Sequence, residues 1–133
     1  MVSYMSRQSF LTFSSVVAVG VAAFALGFPS GVLAGKGVEA DRALVVWVRE
    51  VGALILAAGV TTFLVRKAPD SIALRGVLIG NAVLHVGLLP IEVVAFSTGV
   101  ITKLSGVAPN SLLHALLAAG FIVYTRRMRL PRD

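Results

Sequence analysis

Long apolar runs, separated by short polar breaks rich in proline and glycine, set the layout of this chain. The first run extends from about Phe10 to Phe28 and stops at Pro29. The second covers Ala43 to Val65 and is closed by Arg66, Lys67 and Pro69. The third covers Ile72 to Phe96, and the fourth runs from about Val107 to Tyr124, ahead of Arg126, Arg127 and Arg129. Each run is roughly 18–25 residues long. At 1.5 Å of rise per residue, that length matches a hydrocarbon core of about 30 Å. The pattern predicts an all-α integral membrane bundle of four transmembrane helices, forming a single domain over residues 1–133. Alternating segments are too few for a membrane barrel.

The third run carries a polar stripe. At about 100° per residue, Asn81, His85 and Glu92 fall within roughly 40° of one another. Hydrogen-bonding side chains on one face of a lipid-embedded helix are costly, so such groups mark a functional site or a specific helix contact. Gly76, Gly80, Val83 and Gly87 fall on the opposite side. Gly76-x-x-x-Gly80 has the small-xxx-small spacing that lets a second helix approach closely, so tight packing is expected on that side. Pro90 removes the hydrogen bond to the Val86 carbonyl, and a bend between His85 and Glu92 is expected there.

Composition agrees with the pattern and narrows the chemistry. Of 133 residues, 57% are hydrophobic and 14% charged, a balance that fits a polytopic membrane protein and not a soluble domain. The absence of cysteine excludes disulfides, thiol redox chemistry and thiolate–metal sites. The formal charge of +6 sits beside the apolar runs, which points to topology and anionic lipid, not to nucleic acid. Arg7, Arg66, Lys67, Arg75, Arg126, Arg127, Arg129 and Arg132 occupy the N-terminus, the second loop and the tail. Only Lys36, Arg42 and Lys103 occupy the first and third loops. By the positive-inside rule both termini are cytoplasmic, and the expected location is the bacterial inner membrane. An alternative makes the first run a signal peptide, with Val32-Leu33-Ala34 as its small-residue cleavage region. The glycine-rich loop from Ser30 to Arg42, bearing Lys36, Glu39 and Asp41, is expected to form an external flap or a plain connector. Gly35-x-Gly37 is too short to cradle a phosphate.

Counting depth from the run ends brings in residues of other helices. Arg49 and Glu50 lie about 9–10 Å below the outer edge, Glu92 about 6 Å and His114 about 10 Å. Asn81 and His85 lie deeper, in a neutral layer. Charges at such depth need partners. Arg49–Glu92 is the expected ion pair, with Glu50 as a second candidate; Arg49 and Glu50 point about 100° apart, leaving one near Trp47 at the interface.

This set suits acid/base chemistry on a lipid-soluble molecule. Glu92, His85, Glu50 and His114 are the candidate catalytic residues. Asn81, Arg49, Asn110 and Trp47 are the candidate substrate-binding ones. A glutamate desolvated in a bundle can donate a proton, and a histidine about two turns away can accept or relay it. Double-bond isomerisation, epoxide opening or cyclisation of an isoprenoid or sterol-like substrate would fit, with no cofactor or metal expected. Two alternatives stand beside this reading. One is a metal or haem site on His85, His114 and Glu92. The other is a structural role, in which polar contacts lock helix register in a homo-oligomer or a membrane complex.

From Trp47 onward the layout resembles the DoxX-like group of small bacterial four-helix membrane proteins. The resemblance rests on Arg49-x-x-Gly52 entering a long apolar helix with Gly59, and on the basic turn from Arg66-Lys67 to Arg75. It rests also on a mid-span His85 and on a last helix carrying His114 and ending in arginines. It implies the four-helix architecture. Because some members are linked to membrane oxidoreductase complexes, it also implies an accessory role in such a complex. Pro90-Ile91-Glu92 is similar to the Pro-x-Glu-acidic motif of small carotenoid cyclases, with Val93 in place of the second acid.

Overall fold

A computed structural model describes residues 5–129. Arg132 of the basic tail lies outside the described residues. The helices are α1 (Arg7–Gly27), α2 (Pro29–Lys36), α3 (Arg42–Leu64), α4 (Ile72–Ser97) and α5 (Ala108–Arg127), with a 3₁₀ turn at Leu104–Gly106. Among the described residues, four helical segments are long and apolar enough to cross a membrane: α1, α3, α4, and α5 together with the 3₁₀ turn. The protein is therefore an all-helical membrane bundle. Its surface agrees, since Leu54, Leu64, Ile72, Val83 and Leu116 are all exposed along the spans.

Polar caps set where the long helices begin. The side chains of Ser6, Asp41 and Ser71 accept from the backbone N–H groups of Ser9, Leu44 and Leu74, at 3.1, 2.8 and 3.2 Å. Each satisfies a donor that the first turn leaves unpaired. α4 runs unbroken through Pro90.

The spans pair as α1 with α3 and α4 with α5. In the first pair, Gly52 and Gly59 of α3 face α1: a methyl group there would lie 3.1 Å from the Ala25 Cβ and 3.0 Å from the Ala18 Cβ. Small residues let backbones approach closely where lipid supplies no hydrophobic drive. The buried Ser15 hydroxyl donates to the Gly59 carbonyl at 3.0 Å within this contact. The tight packing expected at Gly76-x-x-x-Gly80 is not found, because Gly76, Gly80 and Gly87 have no non-local atom within 4 Å of an added Cβ. That face of α4 turns away from the bundle, and the close seam belongs to α3.

The two pairs join at both ends. Toward the termini, Phe10 and Leu11 of α1 pack with Leu74, Leu78, Leu117 and Phe121. The Phe10 ring meets Phe121 edge-on at 4.9 Å between centroids. Arg7 pairs with Asp70, and its Nη2 donates to the Ala68 carbonyl at 2.9 Å, tying the N-terminus to the α3–α4 turn. At the opposite end, α2 and the 102–106 segment close the bundle. Between these closures α3 and α4 meet over only a short stretch, where Asn81 Nδ2 donates to Thr62 Oγ1 at 3.2 Å.

Candidate functional site

The first loop is not the flap or connector expected of it. Residues 29–36 form a helix whose boundaries follow local chemistry. Pro29 stands in its first turn, where a missing N–H costs nothing. Gly37 ends it with φ of 70°, a left-handed conformation that glycine adopts freely. Gly37 N–H donates to the Ala34 carbonyl and Val38 N–H to the Leu33 carbonyl, the paired bonds of a Schellman stop.

This stop delivers Lys36 to the bundle. The backbone N–H groups of Thr102 and Lys103 donate to the Lys36 carbonyl at 3.1 and 3.2 Å, and Lys103 Nζ donates to the Ala34 carbonyl at 2.9 Å. Gly106 fits directly against the helix end: a Cβ there would lie 2.4 Å from the Gly35 carbonyl oxygen and 2.8 Å from the Lys36 Cα. Only glycine permits that approach.

Lys36 Nζ then lies 2.8 Å from Glu92 Oε1, and Glu92 is buried. Asn110 Nδ2 donates to the same oxygen, and Ser111 Oγ donates to Oε2 at 2.7 Å. Three polar groups converge on Glu92, with the donors of Lys36 and Asn110 both on Oε1 and the Ser111 hydroxyl on Oε2. Glu92, the expected proton donor, thus sits in a cradle of polar groups. From Asn110 the network continues. Its Nδ2 lies 3.2 Å from His114 Nε2, and His114 Nδ1 lies 2.8 Å from His85 Nδ1. The His85 ring stacks on Phe121 at 5.8 Å. A connected path thus runs from Lys36 through Glu92, Asn110 and His114 to His85.

These groups stand on the wall of a cavity of about 610 Å³ between the two helix pairs. Its other walls are mainly apolar, including Val21, Phe24, Val48, Ile55, Leu84 and Leu88. Asn81 and Trp47 also line it.

The structure brings together Glu92, His85, His114, Asn81 and Asn110 around this space, and separates Arg49 and Glu50 from it. The expected Arg49–Glu92 pair does not form. Arg49 is exposed, and its Nε donates to the Leu26 carbonyl at 3.4 Å. Glu50 is exposed and does not line the cavity. Lys36 takes the role expected of Arg49, because α2 folds back over the bundle end. The division into an outer charged layer and a deeper neutral one also changes. Ser111, near the start of α5, reaches Glu92, so His114 stands one turn deeper and bonds His85. Counting depth along the chain sets His85 in a deeper layer than His114.

Two site residues, Lys36 and Ser111, were not identified from the sequence. The signal for Lys36 was present, since proline at a helix start and glycine just past its end bracket residues 29–36. For Ser111 no comparable signal exists. The metal alternative finds no matching arrangement: among the described residues, no three His, Cys, Asp or Glu side chains group so as to hold an ion.

The fold and the site define a four-helix membrane protein with a partly buried ion pair on a largely apolar cavity. No family model, no curated protein and no solved structure matches this chain.

Proposed function

We propose that this protein is an intramembrane acid/base enzyme that rearranges a hydrophobic, isoprenoid- or sterol-like substrate taken from the lipid phase. One observation carries the reading: an ammonium and a carboxylate, 2.8 Å apart, line a largely apolar cavity of about 610 Å³. Sites for small hydrophobic ligands commonly span about 300–1,000 Å³ and hold a few placed polar groups. The short contact between α3 and α4 supports lateral entry from the bilayer.

The pair suits redox-neutral rearrangement. The Lys36 ammonium protonates an epoxide oxygen or a double bond, and the Glu92 carboxylate removes a proton from a neighbouring carbon. The proton on Glu92 then passes to the Lys36 amine and restores both groups. Protons balance, and no oxidant or second substrate is required. Asn110 and Ser111 hold the carboxylate in place between turnovers. The distribution of basic residues favours a bacterial cytoplasmic membrane with both termini on the cytoplasmic side.

A second reading draws on the same contact. Lys36–Glu92 ties α2 to α4, which favours a non-catalytic subunit of a membrane complex, the oxidoreductase-type role that the DoxX-like layout implies. Glu92→Gln separates the two. On the enzymatic reading the variant stays folded and loses turnover across a panel of lipid extracts. On the structural reading it releases its partners on purification, and neither it nor the wild type turns over any extract. Wild-type turnover by Glu92→Gln sinks the acid/base proposal.

A further inference from the structure

Two side-chain amides whose orientation is chemically determined decide what the deep end of the cavity offers a ligand. The first is Asn110. One atom of its amide faces both Glu92 Oε1 and His114 Nε2. A carboxylate only accepts, so that atom is the NH₂ group, with one hydrogen for each neighbour. His114 Nε2 is then an acceptor, and its proton sits on Nδ1. That proton points at His85 Nδ1, 2.8 Å away. His85 therefore accepts at Nδ1 and carries its own proton on Nε2. No group among the described residues accepts from that N–H, and no unpartnered polar side-chain atom is buried. His85 lines the cavity.

The second amide is Asn81, one turn before His85 on the same face of α4. Its NH₂ donates to the Val77 carbonyl at 2.9 Å and to Thr62 Oγ1 at 3.2 Å. A carbonyl only accepts, so the Nδ2 assignment is determined here too. Asn81 Oδ1 is left as an acceptor without a partner among the described residues, and Asn81 lines the same cavity.

We infer that this end of the cavity binds the hydroxyl group of a hydrophobic alcohol, which accepts from His85 Nε2–H and donates to Asn81 Oδ1. A donor and an acceptor one helical turn apart, about 5–6 Å between Cβ atoms, match a single group that both gives and takes a hydrogen bond. An ether or ketone satisfies only His85, and a hydrocarbon satisfies neither. Along α4, residues 85 and 92 are separated by about 10 Å. The anchored hydroxyl therefore lies about that far from the Lys36–Glu92 pair, and the reacting carbons of the substrate stand at that distance from its oxygen. The inference rests on the proposed function only in taking the cavity as a substrate site.

Three probes of one skeleton test it: farnesol, farnesyl methyl ether and farnesene. The full chain is placed in lipid nanodiscs, and binding is read from the fluorescence of Trp47, the single tryptophan, which lines the cavity. Farnesol should bind more tightly than the ether, and the ether more tightly than the hydrocarbon, each step by about three- to tenfold. His85→Phe keeps the stacked ring and should abolish the preference for the ether over the hydrocarbon. Equal binding of all three overturns the alcohol anchor and leaves the enzymatic proposal standing. If no probe binds, both fall. A measurement on the wild type guards against a variant that does not fold. The chain has two histidines, so ¹⁵N NMR should show one Nδ1–H and one Nε2–H ring. Two rings of the same tautomer overturn the assignment.

Discussion

Lys36 Nζ and Glu92 Oε1, 56 positions apart in the chain, lie 2.8 Å from each other and join α2 to α4. The contact closes one end of the bundle and places two opposite charges on the cavity wall. Removing one partner strands the other in a poorly solvated place. Fully buried pairs broken this way cost about 3–5 kcal/mol. The Lys36 side chain keeps 26% of its exposure, so Lys36→Met should cost less, on the order of 2 kcal/mol. Adding Glu92→Gln should recover part of that loss. Thermal unfolding of both single variants and the double variant in detergent gives the coupling directly; additive losses would show that the pair contributes no coupling.

Gly106 is expected to be intolerant of any side chain. Its Cβ would lie 2.4 Å from the Gly35 carbonyl oxygen, and neither backbone can yield without moving α2. Gly106→Ala should destabilise by about 1–3 kcal/mol and loosen the Lys36–Glu92 contact. Gly80→Ala is the control, since nothing lies within 4 Å of that position. It should be neutral, or stabilising by up to about 1 kcal/mol through helix propensity. Unfolding midpoints of the two variants decide the matter; equal losses would contradict the placement of α2.

Asp70 should give the protein an acid-sensitive element. The Arg129 backbone N–H, donating to Oδ2 at 2.8 Å, and the Arg7 guanidinium hold its carboxyl below the usual carboxylate range. A depressed folded-state value means that the stabilisation is complete above the unfolded value, about pH 4. It is lost as pH falls through the lower, folded value. The stability gap between wild type and Asp70→Asn should stay constant from neutral pH down to about 4 and narrow below it. A gap that instead narrows between pH 8 and 5 would assign the effect to another group.

Sidedness can be read from single cysteines, because the chain has none of its own. Lys67→Cys marks the turn between α3 and α4, and Thr98→Cys marks the end of α4. In intact cells an impermeant maleimide should label Thr98→Cys and spare Lys67→Cys. The reverse pattern would turn the protein over and place the Lys36–Glu92 pair on the cytoplasmic side.

By itself the sequence determined the class and the spans. Runs of apolar residues as long as a bilayer is thick leave the backbone one solution, a helix that satisfies its own hydrogen bonds. The polar stripe on α4 was legible for the same reason, because 3.6-residue periodicity fixes which side chains share a face. Glu92, His85 and Asn81 were found this way. Which cation reaches Glu92 was decided by tertiary structure alone. Arg49 has the right depth but donates instead to the backbone of α1, while Lys36 arrives from a short helix folded over the bundle end. That fold-back depends on contacts between Gly106 and the Lys36 backbone, about seventy residues apart, and no local pattern encodes such a contact. The close helix seam followed the same rule. Gly76-x-x-x-Gly80 and the glycines of α3 offer the same bare backbone, and only the pairing of α1 with α3 put Gly52 and Gly59 to use.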